Sequence, residues 1–423
     1  MNLRSHPLRI FAWSSAWLAL TPALSGCGAD NDAATVALKS GDITTWAGDG
    51  TQGHDGGGHD RLKSWLNQPM GLRFADDGSA VLADWNNHAV RRVTPSGLLE
   101  NVIGEDFPGD WPCQMPGDAA NCDVPLTGAV ACTELNLNHP TDTVFDGTDG
   151  SFYVAAWHNH KVLRYDAGTG EVTVVAGGQK PGFVGDGGPA QGALLNFPSS
   201  LALQADGGLL IGDERNNRIR RIAPDQDRTI TTVVGAAAAM GTDADGVPAT
   251  QVQLSFTTTA EVSGADNPPP GGAIILTGDG ALLVADTFHH CIRRVDPGSD
   301  GVVGTGDPAE ELVTTVAGTC GSAGYAGDGG AATEALLSRP FGIAMAPDGA
   351  LHVADTANHV VRRVDASSGE IATVAGTGAL GFSGDGGPAT AARLHDPYDV
   401  TFDSAGDLFV VDTLNNRVRR VVR

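Results

Sequence analysis

Apolar and polar residues alternate along most of the chain in short runs that are separated by turn residues. One run recurs with small changes as AVLADWNNHAVRRV, FYVAAWHNHKVLRY, LLIGDERNNRIRRI, LLVADTFHHCIRRV, LHVADTANHVVRRV and LFVVDTLNNRVRRV. Alternation with a period of two, interrupted by Asn and His, is typical of paired β-strands joined by a tight turn. The pattern therefore predicts a β-hairpin in each copy.

The copies also keep one internal spacing. In the repeat, an acidic residue stands seven positions before the first arginine of a pair. In one copy alanine replaces the acidic residue and leucine replaces that arginine. The acidic positions are Asp84, Ala156, Asp213, Asp286, Asp355 and Asp412, and the arginine positions are Arg91, Leu163, Arg220, Arg293, Arg362 and Arg419. Across the predicted hairpin each aspartate offers the arginine a partner, so we expect structural ion pairs.

Each copy is preceded by an apolar run such as FGIAMA and followed by one such as IATVAG. Every unit thus contains four strands, here named a to d in chain order, with the hairpin formed by b and c. Six antiparallel units of this kind predict an all-β fold, a six-bladed β-propeller. A linear β array is the alternative architecture.

The two ends of the repeat region complement each other. The last unit stops after strand c, at RRVVR, whereas GDITTWAG at residues 41–48 resembles a strand d without its unit. We expect this N-terminal strand to join the last blade, because closing the ring removes both free sheet edges. The propeller would then occupy residues 41–423.

Residues 1–26 have the features of a signal peptide: Arg4 and Arg9 precede an apolar stretch over residues 10–24. The following LSGC, residues 24–27, resembles a bacterial lipobox, which implies lipidation of Cys27; cleavage as an ordinary signal peptide is the alternative. Residues 27–40 would form a tether. The expected location is therefore outside the cytoplasm, anchored by lipid to the outer membrane or cell surface.

The charge balance narrows the choice of partners. With 50 acidic and 26 basic residues the net charge is −24, which repels phosphate backbones and disfavours nucleic-acid binding. The 58 glycines follow no collagen-like period and fit a turn-rich β protein instead.

The repeats resemble NHL repeats of the bacterial extracytoplasmic kind. The matching phrases are SGDGGPATAARLHDPYDV, LFVVDTLNNRVRRV and GEIATVAGTG, and the likeness extends over residues 41–423. The resemblance implies a propeller that binds partners, since only some members of the family are enzymes.

Loops on one face supply the candidate binding residues. The d–a connections and b–c turns are expected to meet around the mouth of the central channel, where ligands commonly bind propellers. The candidates are Trp111, Asp142, Asp186, Asp328, Asp385 and Asp399. Asp186, Asp328 and Asp385 belong to Asp-Gly loops, which could hold calcium but are also typical structural turns. Asp142 and Asp399 open strand a, so they could face the mouth or simply line the channel.

Several histidines occupy the b–c turns: His88, His158, His160, His289, His290 and His359. Asn217 and Asn416 stand where other copies have histidine, and both residue types tolerate a left-handed backbone. We therefore interpret this position as a turn residue rather than a zinc ligand.

Five cysteines remain after Cys27. Cys291 begins strand c of unit four and Cys320 follows strand d of that unit, so antiparallel pairing predicts a disulfide between them. Cys113, Cys122 and Cys132 lie in the long connection between units one and two, where the sequence leaves all three pairings open.

These features favour a binding or scaffold propeller that presents one face to a protein, peptide or glycan, as a monomer and without a cofactor. The alternative is a metal-dependent lyase or lactonase with calcium or zinc in the channel, because propellers resembling gluconolactonases and peptide-amidating lyases hold such metals. The sequence has no nucleophile elbow and no diagnostic metal motif, and we assign no catalytic residue.

Overall fold

The computed structural model describes residues 37–104, 129–132, 135–178, 180–236, 244–257 and 270–423. Over these residues the chain forms six antiparallel sheets, each with strands a to d in consecutive positions. The fold is a six-bladed β-propeller, as the repeats predicted.

Blades 1 to 3 use fifteen strands. Blade 1 contains β2 (His59–Asp60), β3 (Pro69–Phe74), β4 (Ala80–Asp84), β5 (Ala89–Val93) and β6 (Leu98–Ile103). Blade 2 contains β7 (Val130–Ala131), β8 (Pro140–Phe145), β9 (Phe152–Ala156), β10 (Lys161–Asp166) and β11 (Glu171–Gly177). Blade 3 contains β12 (Gly188–Pro189), β13 (Pro198–Leu203), β14 (Leu209–Asp213), β15 (Arg218–Ile222) and β16 (Thr229–Val234).

Blades 4 to 6 repeat this arrangement. Blade 4 contains β17 (Val247–Pro248), β18 (Ile274–Leu276), β19 (Leu282–Asp286), β20 (Cys291–Val295) and β21 (Leu312–Ala317). Blade 5 contains β22 (Pro340–Met345), β23 (Leu351–Asp355), β24 (Val360–Val364) and β25 (Ile371–Ala375). Blade 6 contains β26 (Gly387–Pro388), β27 (Pro397–Phe402), β28 (Leu408–Asp412) and β29 (Arg417–Val421), and is completed by β1 (Asp42–Ala47).

The described helices are single 3₁₀ turns. Those between strands b and c are Trp85–Asn87, Trp157–Asn159, Glu214–Asn216, Thr356–Asn358 and Thr413–Asn415. Those that precede strand a are Ala190–Gly192, Ala249–Gln251, Ala332–Glu334 and Ala389–Ala391. Among the described residues no helix is long and apolar enough to cross a membrane.

Strand a of each blade lies innermost, where it contacts strand a of the next blade around the ring. The apolar core lies between blades: one cluster joins Val154 of blade 2 to Val90 of blade 1, and another joins Ile211 of blade 3 to Val162 of blade 2. Val, Leu, Ile and Ala dominate these layers, as expected for a chain that is only 6% aromatic. The interblade layers therefore supply most of the apolar burial that stabilises the ring.

β1 closes the ring. It pairs antiparallel with β29, with Ile43 opposite Val421, and its other edge pairs with β26. Ile43 and Ala47 are completely buried against blades 5 and 1, respectively. The N-terminal strand thus acts as strand d of the last blade, as predicted.

Candidate ligand-binding face at the channel mouth

The b–c turns of all blades lie on one face, here called the mouth face. Each turn ends in a residue with a left-handed backbone, at φ between 49° and 61°. These residues are His88, His160, Asn217, His290, His359 and Asn416. The interpretation of this position as a turn residue is confirmed, because non-glycine residues with this backbone are mostly Asn, Asp or His.

The same six side chains also connect the blades, which the sequence did not reveal. Each accepts a hydrogen bond from a backbone N–H that precedes strand a of the next blade. The donor–acceptor pairs are His139–His88 at 3.3 Å, Phe197–His160 at 3.3 Å, Phe256–Asn217 at 2.7 Å, Arg339–His290 at 3.1 Å, Asp396–His359 at 3.2 Å and Gln68–Asn416 at 2.9 Å. Imidazole Nδ1 and amide Oδ1 can both play this part, which explains why His and Asn alternate here.

Asp142 and Asp399 lie inside the channel, and Arg73 brings them together. The Arg73 guanidinium is 2.8 Å from Asp142 Oδ1 and 2.5 Å from Asp399 Oδ2, so it links blade 1 to blades 2 and 6. Both carboxylates are 5% exposed and the guanidinium is 22% exposed. Burial lowers the pKa of Arg73, but the two aspartates outweigh it and the net pKa is raised. The channel cluster is therefore a paired network of charges.

These two carboxylates also join neighbouring strands a. Asp142 Oδ2 accepts hydrogen bonds from the Leu201 N–H at 3.0 Å and the Ser200 hydroxyl at 2.8 Å, and Asp399 Oδ2 accepts one from the Leu72 N–H at 3.0 Å. Burial raises the pKa of Asp399, although Arg73 opposes this. Both residues thus line the channel as structural links, and a role in ligand binding stays a prediction.

Sequence reasoning missed Arg73. Strand pairing aligns it with Val144, Ala202, Ile275, Ala344 and Thr401 of the other blades. The sequence did contain a signal for Arg73: it is a charged residue at a position that is uncharged in the other five blades.

The Asp-Gly loops lie elsewhere than expected. The two residues before each short helix join strand d as an outer strand, so Asp186, Asp328 and Asp385 lie over the outer half of their blades and not around the mouth. Their carboxylates pair with buried arginines of strand c: Asp186 with Arg220, Asp328 with Arg362 at 2.7 Å, and Asp385 with Arg419 at 2.6 Å. These contacts do not test whether the three aspartates contribute to a binding face, so that role stays a prediction.

Buried arginines link strands b and c in every blade except blade 2. Arg362 is fully buried and lies 3.3 Å from the equally buried Asp355, which also accepts hydrogen bonds from the Ser338 N–H and the Asn358 amide. Arg91 and Arg419 make the same contact with Asp84 and Asp412. The expected ion pairs are therefore present, and they are buried.

Exposed aromatic rings mark the outer part of the mouth face. Phe183, Tyr325 and Phe382, here called the aromatic trio, are 40%, 47% and 42% exposed. Phe183 lies 4.4 Å from the Arg218 guanidinium and Phe382 lies 3.9 Å from that of Arg417, and both arginines directly follow a b–c turn. Tyr325 lies 5.2 Å from the Arg362 guanidinium. The trio repeats one feature on three blades.

A cluster of aromatic and imidazole rings joins the b–c turns of blades 1 and 2 on the mouth face. The His139 ring contacts Trp85 at 4.3 Å, His88 at 4.4 Å and His158 at 4.6 Å. Burial, reinforced by neighbouring imidazoles, lowers the pKa of His139 to about 2 and that of His158 to about 3. Both rings are therefore neutral at physiological pH.

Three cysteines, Cys132, Cys291 and Cys320, lie among the described residues. Cys291 and Cys320 form the predicted disulfide. Cys132 is a free, half-buried thiol, whereas Cys27, Trp111, Cys113 and Cys122 lie outside the described residues. Within the described ranges no three His, Cys, Asp or Glu side chains are grouped to hold a metal ion.

The proteins that this chain resembles in sequence are much longer than the chain itself. No protein-family model matches the chain. SUPPRESSOR OF QUENCHING 1 of Arabidopsis thaliana is 25% identical over 315 residues, which are 72% of this chain and 26% of that protein. Mouse Teneurin-4 is 26% identical over 379 residues, or 83% of this chain and 12% of that protein. The chain thus spans only a small part of these relatives.

Solved bacterial structures share the fold. A Bacteroides thetaiotaomicron protein of unknown function has a TM-score of 0.59 at 15% identity, covering 90% of this chain and 75% of that one. An auxiliary nutrient binding protein from Bacteroides ovatus also has a TM-score of 0.59 at 15% identity, covering 89% and 75%. At such identities the likeness establishes the β-propeller architecture alone.

Proposed function

We propose that the protein is a lipid-anchored, extracytoplasmic binding propeller of the NHL type, which presents its mouth face to a protein, peptide or glycan. A monomer with no cofactor suffices for this function. The name of the Bacteroides ovatus neighbour describes binding as well, so the proposal is consistent with one use of this fold in bacteria.

The observation that carries the proposal is the aromatic trio. Exposed aromatic rings bury large areas at little entropic cost when a partner docks, and they are enriched in binding interfaces. Each ring is held over a guanidinium, so its orientation is fixed before binding. Repetition on blades 3, 5 and 6 favours an extended partner over a small solute.

The place where the chain enters the ring supports the proposal that the mouth face binds the partner. β1 begins beside Val421 and Val422 at the end of strand c, on the face opposite the b–c turns. A lipid on Cys27 would lie 13 residues before Ser40, a distance of at most roughly 45 Å. At β1 the chain thus enters the ring on the side away from the mouth face.

We do not favour the lyase or lactonase alternative. The channel carboxylates Asp142 and Asp399 are already paired with Arg73, and those of the Asp-Gly loops are paired with strand c arginines. Calcium or zinc would have to displace these guanidinium groups. We therefore derive no metal-dependent step.

The binding proposal is tested with affinity capture on the full-length protein. We expect replacement of the aromatic trio by alanine to abolish capture of partners that the wild type retains. Leu98→Ala is the matched control, since Leu98 is 39% exposed and begins strand d on the opposite face. Equal capture by the trio variant and the wild type would refute a role for this face.

The anchor is tested separately. Metabolic labelling with an alkyne fatty acid should mark the wild-type protein and fail to mark Cys27→Ser, which would leave the membrane fraction. Labelling of the variant at the wild-type level would refute lipidation at Cys27. Neither result alters the test of the mouth face.

A further inference from the structure

A cavity of about 550 Å³ lies between blades 5 and 6, on the face opposite the mouth. Its walls include the a–b turn of blade 5 at Pro347 and the apolar side chains of Val374, Phe402, Leu408 and Val421. Ligand pockets of proteins commonly have volumes in this range and mostly apolar walls with few polar groups. The cavity is separate from the face to which we assign partner binding.

One buried side chain in its wall is unexplained by the fold. His352 in β23 is 6% exposed, and within the described structure its Nδ1 has no hydrogen-bond partner. Strand pairing places this residue opposite the second arginine of its hairpin, a position held elsewhere by apolar or aromatic side chains. The equivalents are Val81, Tyr153, Leu210, Leu283 and Phe409.

An imidazole here makes the empty fold less stable, because a buried polar atom without a partner has lost its hydrogen bonds to water and gained none in return. Valine serves the same position in blade 1. The departure from the repeat therefore indicates a partner that is external to the chain.

The charges around the cavity suggest what that partner carries. Asp348 is held by Arg363 at 3.0 Å, and Asp42 accepts a hydrogen bond from the Lys39 N–H at 2.8 Å. Arg423 lines the cavity and has no carboxylate within ion-pair distance in the part of the chain that is described. Of the charged and titratable side chains that line the cavity, Arg423 and His352 are thus left to meet a ligand.

We propose that this cavity binds a small carboxylic acid with an apolar body, whose carboxylate meets Arg423 and His352 and whose body packs on Phe402 and Leu408. Burial lowers the pKa of His352 to about 4, although a backbone hydrogen bond with Ala350 opposes this, so the ring is neutral at pH 7. In the tautomer that carries its proton on Nδ1, the ring offers this N–H to the ligand. The ligand's charge is then balanced by Arg423.

Octanoate is a suitable probe, titrated into the full-length protein by calorimetry and by NMR of the Val374 and Val421 methyl groups. We expect saturable binding that shifts these methyl signals. Octanol, which has the same chain and no charge, should bind at least tenfold more weakly.

Two variants test the polar contacts. His352→Val introduces the blade 1 residue and should fold, and Arg423→Gln changes an exposed side chain. Each should weaken octanoate binding at least tenfold. The variant that lacks the aromatic trio is the control and should bind octanoate as the wild type does, because this site is independent of the mouth face.

Absence of methyl shifts at millimolar octanoate would overturn the proposal. Wild-type affinity in His352→Val or in Arg423→Gln would also overturn it, as would equal binding of octanol and octanoate.

Discussion

At the scale of single residues, the repeated aspartate and arginine form a buried pair across the hairpin in blades 1, 5 and 6. Seven residues across a hairpin predict a pair, but only the structure shows that Arg362 and Asp355 are both fully buried. Blade 2 has Ala156 and Leu163 at these positions, and there Asn159 accepts the hydrogen bond from the Asn138 N–H that aspartate accepts in other blades. The pair is therefore replaceable when both members change together.

This compensation predicts the outcome of a double-mutant cycle in blade 5. Arg362→Leu leaves Asp355 buried without its cation and should lower the free energy of unfolding by about 3–5 kcal/mol. The double variant Asp355→Ala/Arg362→Leu imitates blade 2 and should lose less than the single variant. Denaturant unfolding measures both, and a double variant less stable than Arg362→Leu would contradict the account.

The mouth histidines predict a dependence of stability on pH. Burial lowers the pKa of His139 and His158 below their value of 6.5 in the unfolded chain, to about 2 and about 3. The unfolded chain therefore takes up more protons between about pH 6.5 and 3, and their contribution to stability is lost as the pH falls through this window.

His158→Asn introduces the residue that blade 1 has at this position, Asn86. The loss of stability between pH 7 and pH 5 should shrink by about 1–2 kcal/mol, as expected for one histidine. Unfolding curves at the two pH values measure this, and an unchanged difference between them would refute the assignment.

At the scale of elements, the sequence gives strand order and turn positions but not the links between blades. His and Asn alternate at the end of each b–c turn, which predicts a left-handed residue there. Nothing in one repeat shows that the side chain accepts a hydrogen bond from the next blade. The sequence prediction placed the Asp-Gly segments around the mouth for a similar reason. Gly188–Pro189 pairs with β16 instead, and this pairing depends on contacts that the repeat pattern does not show.

A series at His290 separates the two roles of this position. His290→Asn keeps the backbone and the acceptor and should be close to neutral. His290→Gly keeps the backbone and loses the acceptor for the Arg339 N–H, at about 1 kcal/mol. His290→Ala loses both and should cost roughly 2–3 kcal/mol. Thermal unfolding ranks the variants, and equal stability of all three would exclude a link between blades.

At the scale of the whole molecule, the blade count and the closure by β1 were predictable because six copies share one spacing and the two ends complement each other. The channel cluster was not, because Arg73, Asp142 and Asp399 come from three blades and meet only in the closed ring. The mouth face likewise combines loops that are far apart in sequence.

Closure predicts a global effect of a local deletion. Removing residues 41–48 exposes β29 and takes the fully buried Ile43 out of the core, for which truncation alone costs about 2–5 kcal/mol. We expect a single unfolding transition at a lower temperature for the entire domain in calorimetry. An unchanged transition would contradict closure by this strand.

The central claim is that the mouth face binds the partner, and site-specific photocrosslinking in the cell tests it most directly. A photoreactive phenylalanine analogue at Phe382, on the mouth face, should give a discrete crosslinked product upon irradiation. The same analogue at Leu98, on the opposite face, should give none. Crosslinking from Leu98 without crosslinking from Phe382 would contradict the account.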